Sequence, residues 1–167
     1  MNAVANGYMS GLGDGTFGPM KTATRAQFAT ALACAMGYEA PEDPSTIETP
    51  FIDVDANDWY AGAVNFCYDE GIISGYEDTT FRPDQTITRQ EAAAMLNNAF
   101  GLEASTDVSQ FTDAGRIASW ATAHVGAVAN AELMNGDVAG TFRPTGTLTR
   151  AELASILMNA NIHGFID

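Results

Sequence analysis

Seven basic residues stand against twenty-one acidic ones in this chain of 167 residues, and five of the seven recur at two positions. Arg25, Arg89 and Arg150 each follow a threonine, whereas Arg82 and Arg143 each precede a proline. An arginine in the first turn of a helix sits at the positive end of the macrodipole, which costs about 0.3–1 kcal/mol. Helix stability therefore does not ask for it. Beside free amides at a helix start, a guanidinium makes an anion site that grips a carboxylate or a phosphate. An ion pair with an acidic residue of the next repeat is the other reading, and the excess of carboxylates makes it easy. The two roles can coexist.

Two further residue types could serve such a site. Trp59 and Trp120 stand in near-polar company (DANDWY and RIASWA). Such a ring either exposes a face for stacking on a sugar or joins the core. Asp14 and Asp78, with Thr16 and Thr80, offer oxygen ligands or acceptors for sugar hydroxyls, or else bond locally within a turn. The spacing of Asp53, Asp55 and Asp58 is not that of a calcium-binding loop. Catalysis is poorly supplied. The two histidines, His124 and His163, are not repeated, no nucleophile elbow, zinc-helix motif or phosphate loop occurs, and acidic pairs such as Asp69-Glu70 and Glu77-Asp78 read as solvated surface.

These residues recur because the chain does. Gly11 to Leu32, Gly75 to Leu96 and Gly136 to Leu157 align without gaps, and nine of their positions are identical in all three copies. Trp59 and Trp120 each precede their glycine by sixteen residues, behind Phe51-Ile52-Asp53 and Phe111-Thr112-Asp113. The first copy has no matching front half. Phe165-Ile166-Asp167 echoes Phe51-Ile52-Asp53, which leaves two readings open: a cut from a longer array, or a tail that completes the first unit.

Each copy is expected to form helix, loop, helix. From Trp59 to Glu70, Ala63, Phe66 and Cys67 share one stripe, and Gly71 and Gly75 supply positive-φ stops. The Thr-Phe-Arg-Pro segment is expected to be extended, because Pro83 restricts its predecessor. The second helix starts with a capping box: Thr88 with Glu91, Thr149 with Glu152, and Thr24 with Gln27. Glu39 to Pro50 and Leu102 to Gln110 are linkers. The expected organisation is therefore three repeats, 1–49 (incomplete at its start), 50–109 and 110–167, in one compact, mainly α domain.

Composition excludes several classes. The chain is 46% hydrophobic, with mean hydropathy near zero and no apolar run long enough for a membrane span. A net charge of −14 has the wrong sign for nucleic acid. Cys34 and Cys67 read as small core residues and fix no compartment. No signal peptide is legible in the first twenty residues, so any export signal lies elsewhere.

Phe-x-Asp before a tryptophan-led helix, paired glycines, Thr-Phe-x-Pro and the Thr-Arg-x-Glu helix start together resemble the S-layer homology family. The resemblance covers nearly the whole chain. It implies three helix-loop-helix units around a pseudo-threefold central bundle, with grooves between units that bind an anionic, often pyruvylated, secondary cell-wall polysaccharide. It also implies a non-catalytic anchoring module that needs no cofactor, located at the bacterial cell surface. The arginine most tied to binding in that family maps onto Arg25, Arg89 and Arg150. Departures from the family pattern are Gln27 for the motif glutamate, Leu12 for an aromatic, Gln90 for alanine and Thr79 for glycine. Copy three departs at Glu132, Asp137 and Ala139, and its acidic changes are expected to leave its loop contributing little. The incomplete first copy favours pairing with a second chain. The alternative role is a structural or protein-interaction domain with decayed grooves.

Overall fold

A computed structural model describes residues 7–11 and 14–166. Leu12 and Asp167, on which two of the expectations above bear, lie outside the described residues. Five α-helices are present among those described: α1 (Arg25–Ala35), α2 (Ala61–Asp69), α3 (Arg89–Phe100), α4 (Thr122–Asn130) and α5 (Arg150–Ile162). Single 3-10 turns, Pro44–Thr46 and Ala114–Arg116, interrupt the connections. No strand forms among the described residues, and the fold is mainly α. Helices α2 and α4 are the first helices of copies two and three; α1, α3 and α5 are the second helices of the three copies.

All three capping boxes form. Thr24, Thr88 and Thr149 accept from the amides of Gln27, Glu91 and Glu152, whose side chains accept from the threonine amides in return. Each box fixes where a helix starts and is worth about 1 kcal/mol. The first helices begin two residues later than the tryptophans suggested, at Ala61 and Thr122, because Ala61 and Ala121 close turns on Asp58 and Ala118. Gly71 and Gly75 take φ of 70° and 72° as expected. Glu132 occupies the Gly71 position with φ 58°, a left-handed conformation that costs a non-glycine residue about 1–2 kcal/mol.

The second helices are held together by their approach segments. Ala23, Ile87 and Leu148, all fully buried, form a closed ring of backbone hydrogen bonds. The Ala23 amide donates to Leu148 (2.8 Å), that of Ile87 to Ala23 (3.1 Å) and that of Leu148 to Ile87 (3.3 Å). Antiparallel bridges Thr22–Thr149, Thr24–Thr86 and Thr88–Thr147 flank the ring. From it each second helix runs outward and packs on the first helix of the next repeat, α1 on α2 and α3 on α4, while α1 also meets α5 across the centre. Phe28, Phe81, Phe142, Leu32, Leu96 and Leu157 fill the space between.

The Thr-Phe-Arg-Pro loops are not extended throughout, which corrects the expectation from Pro83. Arg82 and Arg143 have φ of 59° and 56°. The cause lies about thirty residues upstream. The Asp53 carboxylate accepts from the amides of Phe81 and Arg82, both at 2.8 Å, and Asp113 does the same for Phe142 (2.7 Å) and Arg143 (2.8 Å). Copy one places Gly18 (φ 61°) at this position, where glycine adopts the conformation without strain. The Phe-x-Asp segment is therefore a clamp on its own repeat's loop. Phe165 in the tail does not take the place of Phe51: it stacks on Phe100, with centroids 5.4 Å apart, whereas Phe51 packs on Phe81.

Two outcomes follow for stability. Ile87→Ala should cost about 2–4 kcal/mol and lower a single cooperative denaturant transition of the whole chain, rather than releasing one repeat. Asp53→Ala should cost about 1.5–3 kcal/mol, and adding Arg82→Gly should restore about 1 kcal/mol of that loss. Both are read from equilibrium unfolding.

Candidate binding grooves

The three arginines are buried, and each reaches out of its own repeat into the loop of the next. Arg25 Nε donates to the Phe81 carbonyl (2.8 Å), Arg89 Nε to Phe142 (2.5 Å) and Arg150 Nε to Phe17 (2.9 Å), so copy three closes the circle onto copy one. Each guanidinium also lies over the ring of that same phenylalanine at 4.8–4.9 Å. Arg89 and Arg150 add Nη2 bonds to the carbonyls of Asn135 (2.7 Å) and Ser10 (2.6 Å). Burial pushes the pKa of Arg89 and of Arg150 down from the usual arginine value.

The amides beside them are not free, which corrects the anion-site argument made from the helix dipole. Arg25 and Ala26 donate to the Gln85 and Pro83 carbonyls, Arg89 and Gln90 to Gly146 and Pro144, and Arg150 and Ala151 to Lys21 and Pro19. The threonine caps take the third amide. Any ligand must therefore be recognised by the guanidinium edge and its surroundings.

The expected ion pairs with the next repeat exist for two of the three arginines. Arg25 Nη1 lies 3.1 Å from Glu91 Oε1, and Arg89 Nη1 lies 3.6 Å from Glu152 Oε1. Glu91 also accepts from the Tyr76 hydroxyl (2.8 Å) and from both the amide (2.9 Å) and the hydroxyl (2.6 Å) of Thr88. Burial alone would raise the pKa of Glu91, but Thr88, Tyr76 and Arg25 outweigh it and hold the carboxyl below its ordinary value near 4.5. Glu152 is lowered in the same way, with Thr149, Arg143 and Arg89 overcoming its burial.

Around each arginine lies a groove assembled from successive repeats. The first, about 430 Å³, has Arg150 at its floor, the Tyr8–Gly11 segment and Gln27, Thr30 and Ala31 of α1 as walls, and Trp59 at its lip. The second, about 270 Å³, repeats this with Arg25, the loop from Ile72 to Tyr76, Glu91 and Met95 of α3, and Trp120. The third, also about 270 Å³, has Arg89, Asn135, Asp137, Arg143, Glu152 and Ser155, with no tryptophan among its lining residues. Trp59 is 66% exposed and Trp120 54%, so the core alternative for these rings does not hold.

The loop aspartates take the local reading. Asp14 Oδ1 accepts from the Thr16 amide (2.9 Å) and hydroxyl (2.7 Å), and Asp78 Oδ1 from those of Thr80 (3.2 and 2.5 Å); neither residue is among those lining a groove. In copy three, where Ala139 replaces this aspartate, Asp137 makes the same bonds to Thr141 from two residues upstream and lies 3.6 Å from Arg143. Its charge is tied into the turn. Sequence reasoning missed the clamping role of Asp53 and Asp113, although their recurrence ahead of each tryptophan was a usable signal.

The lowered carboxyls set an acid limit. A carboxylate whose folded pKa is depressed contributes stability above about 4.5 that is lost as pH falls through the folded value. Glu91→Gln should therefore be less stable than the parent chain at pH 6, with the gap closing toward pH 3 in urea unfolding curves.

Comparison with known proteins agrees with this geometry. The S-layer homology domain profile matches residues 1–29, 50–93 and 110–154. The chain is 35% identical over 153 residues to the surface-layer 125 kDa protein of Lysinibacillus sphaericus, covering 90% of this chain and 13% of that protein. It is 41% identical over 101 residues to the surface layer protein of Brevibacillus choshinensis, covering 60% of this chain and 9% of that one. The amylopullulanase of Thermoanaerobacterium thermosulfurigenes matches at 32% over 154 residues, covering 89% of this chain and 8% of the enzyme. The chain thus spans only a small fraction of these relatives' length. With three profile matches falling on three copies of one latch, one capping box and one loop, the chain belongs to the S-layer homology domain family.

Proposed function

We propose that the grooves between repeats bind an anionic secondary cell-wall polysaccharide, with the buried arginine meeting an acidic group and the exposed tryptophan stacking on a sugar ring. The observation that carries this reading is the pairing of an outward tryptophan, 66% exposed at Trp59, with an arginine at the floor of the same groove. An indole left in water beside a polar groove suits a sugar, whose axial C–H face is apolar while its rim is polar. Family membership supports the coarser assignment, a cell-wall anchoring module at the bacterial surface. Matches to enzymes such as the amylopullulanase cover the same kind of module, a small part of each protein. No helix among the described residues is long and apolar enough to cross a membrane. Which larger protein the module holds, and which acidic group the polymer carries, belong to the proposal.

A structural role is the second reading, and a specific observation favours it. Every arginine is already a latch between repeats, and Arg25 and Arg89 also face carboxylates. The two readings differ in what removal of the tryptophans does. If the grooves bind, the chain should co-sediment with purified cell-wall sacculi and not with sacculi stripped of secondary polysaccharide by acid. The double variant Trp59→Ala, Trp120→Ala should weaken that binding at least tenfold with an unchanged melting temperature. Raising the salt should weaken it further, since the contact is partly ionic. Equal binding by the double variant would remove the tryptophans from the site, and a parent chain that does not sediment with intact sacculi would favour the structural reading.

A further inference from the structure

The three grooves share one backbone plan but differ in charge. Among the described residues the first is lined by Arg150 and by no acidic residue; the second by Arg25 and Glu91; the third by Arg89 and Arg143 with Asp137 and Glu152. Their lining charges are therefore one positive, zero and zero. A single position makes the difference. The third residue of the second helix, which reaches the arginine of the preceding repeat, is Glu91 in copy two and Glu152 in copy three but Gln27 in copy one. Gln27 keeps the capping box, with its Oε1 3.3 Å from the Thr24 amide, yet brings no negative charge. Among the described residues no carboxylate lies within ion-pair distance of Arg150, whose Nε and Nη2 donate to the carbonyls of Phe17 and Ser10.

Glu91 shows what this removes. In the second groove its carboxylate already accepts from Arg25, Tyr76 and Thr88, so it occupies the place that an acidic ligand would take on the guanidinium. An incoming anion there must displace or repel a bound one. In the first groove the guanidinium has no such internal competitor. Thr30 of α1 lines the same groove, and its Oγ1 is buried without a hydrogen-bond partner. Ala94 stands at the corresponding place in the second groove.

We propose that Gln27 is the specificity-determining residue of this chain: by withholding the counter-ion that the other two repeats supply, it makes the Trp59 groove the one that takes a carboxylate-bearing sugar. This rests on the binding role proposed above. The Trp120 groove, neutralised from within, favours uncharged sugar units.

The test is co-sedimentation of the whole chain with sacculi, comparing the parent with Gln27→Glu, Trp59→Ala and Trp120→Ala. Gln27→Glu installs the residue that the other two capping boxes already hold, so the fold is kept, and a melting temperature no lower than the parent's checks this. The expected result is a loss of about tenfold in affinity for Gln27→Glu and for Trp59→Ala, and less than twofold for Trp120→Ala. Parent binding with Gln27→Glu equal to it, or with Trp120→Ala the more damaging tryptophan variant, overturns the assignment while leaving wall binding intact. A parent chain that does not sediment overturns the binding role itself, and this inference with it.

Discussion

Three backbone hydrogen bonds, passed in one direction among Ala23, Ile87 and Leu148, set the register of everything else. Each is made by an amide of one repeat to a carbonyl of another, at positions where no side-chain chemistry is involved. The buried amides must be satisfied. Satisfying them fixes where each second helix begins relative to the other two. The next two amides of each helix are then delivered to the following repeat's loop, and the arginine follows the same route, so ring, amides and latch form one continuous seam between each pair of repeats. A repeat removed from this arrangement would expose its seam donors on one side and its loop carbonyls on the other. The unit of stability is therefore the closed set. Arg150 contacts Ser10 across 140 residues of chain, which makes the final closure a long-range event, of the kind that slows folding.

The same seam explains why a chain with a net charge of −14 buries three of its seven cations. A guanidinium offers five donors in a plane, enough to bridge carbonyls while leaving an edge turned toward a groove. Its burial is made tolerable by the loop carbonyls, by the aromatic ring beneath it and, in two copies, by a glutamate. Structure and binding compete for the same charge. Where the glutamate is present the cation is compensated from within; where it is glutamine the compensation must come from outside. Three grooves built on one plan can in this way differ in what they accept without any change in backbone.

The loops show a second economy. Arg82 and Arg143 adopt a backbone conformation that arginine disfavours, held by a carboxylate that takes two successive amides at once. At Gly18 the clamp is unnecessary, and the described part of copy one has no counterpart to it. The strained pair gains something from the clamp besides loop shape: Arg82 lies over the Tyr76 ring at 3.8 Å and pairs with Asp78, while Arg143 pairs with Glu152 at 3.0 Å. Arg143 lines the third groove and Arg82 covers the Tyr76 ring beside the second, whereas copy one has a glycine at this position. The exposed rim pairs contribute little to stability on their own.

The amino-acid sequence by itself determined the repeats, the mainly helical class, the starts of α1, α3 and α5 and the stops after α2. Each of these is decided within about four residues, by a threonine facing a glutamate or glutamine, or by a glycine free to take positive φ. Only the tertiary structure decided who partners whom. Three copies that share the Thr-Phe loop and the Thr-Arg helix start make every arginine equally suited to every loop, and local pattern cannot say that Arg25 goes to Phe81 rather than to its own Phe17. That choice comes from the closed ring and from packing between residues 53 to 140 apart in the chain. For the same reason the occupied amides at the helix starts and the partners of the clamping aspartates could not be read from local pattern, and the two readings of the tryptophans stayed open. A helix start looks like an anion site until the neighbouring repeat supplies carbonyls to it, and a tryptophan looks like core until the fold leaves it at the lip of a groove made by three repeats.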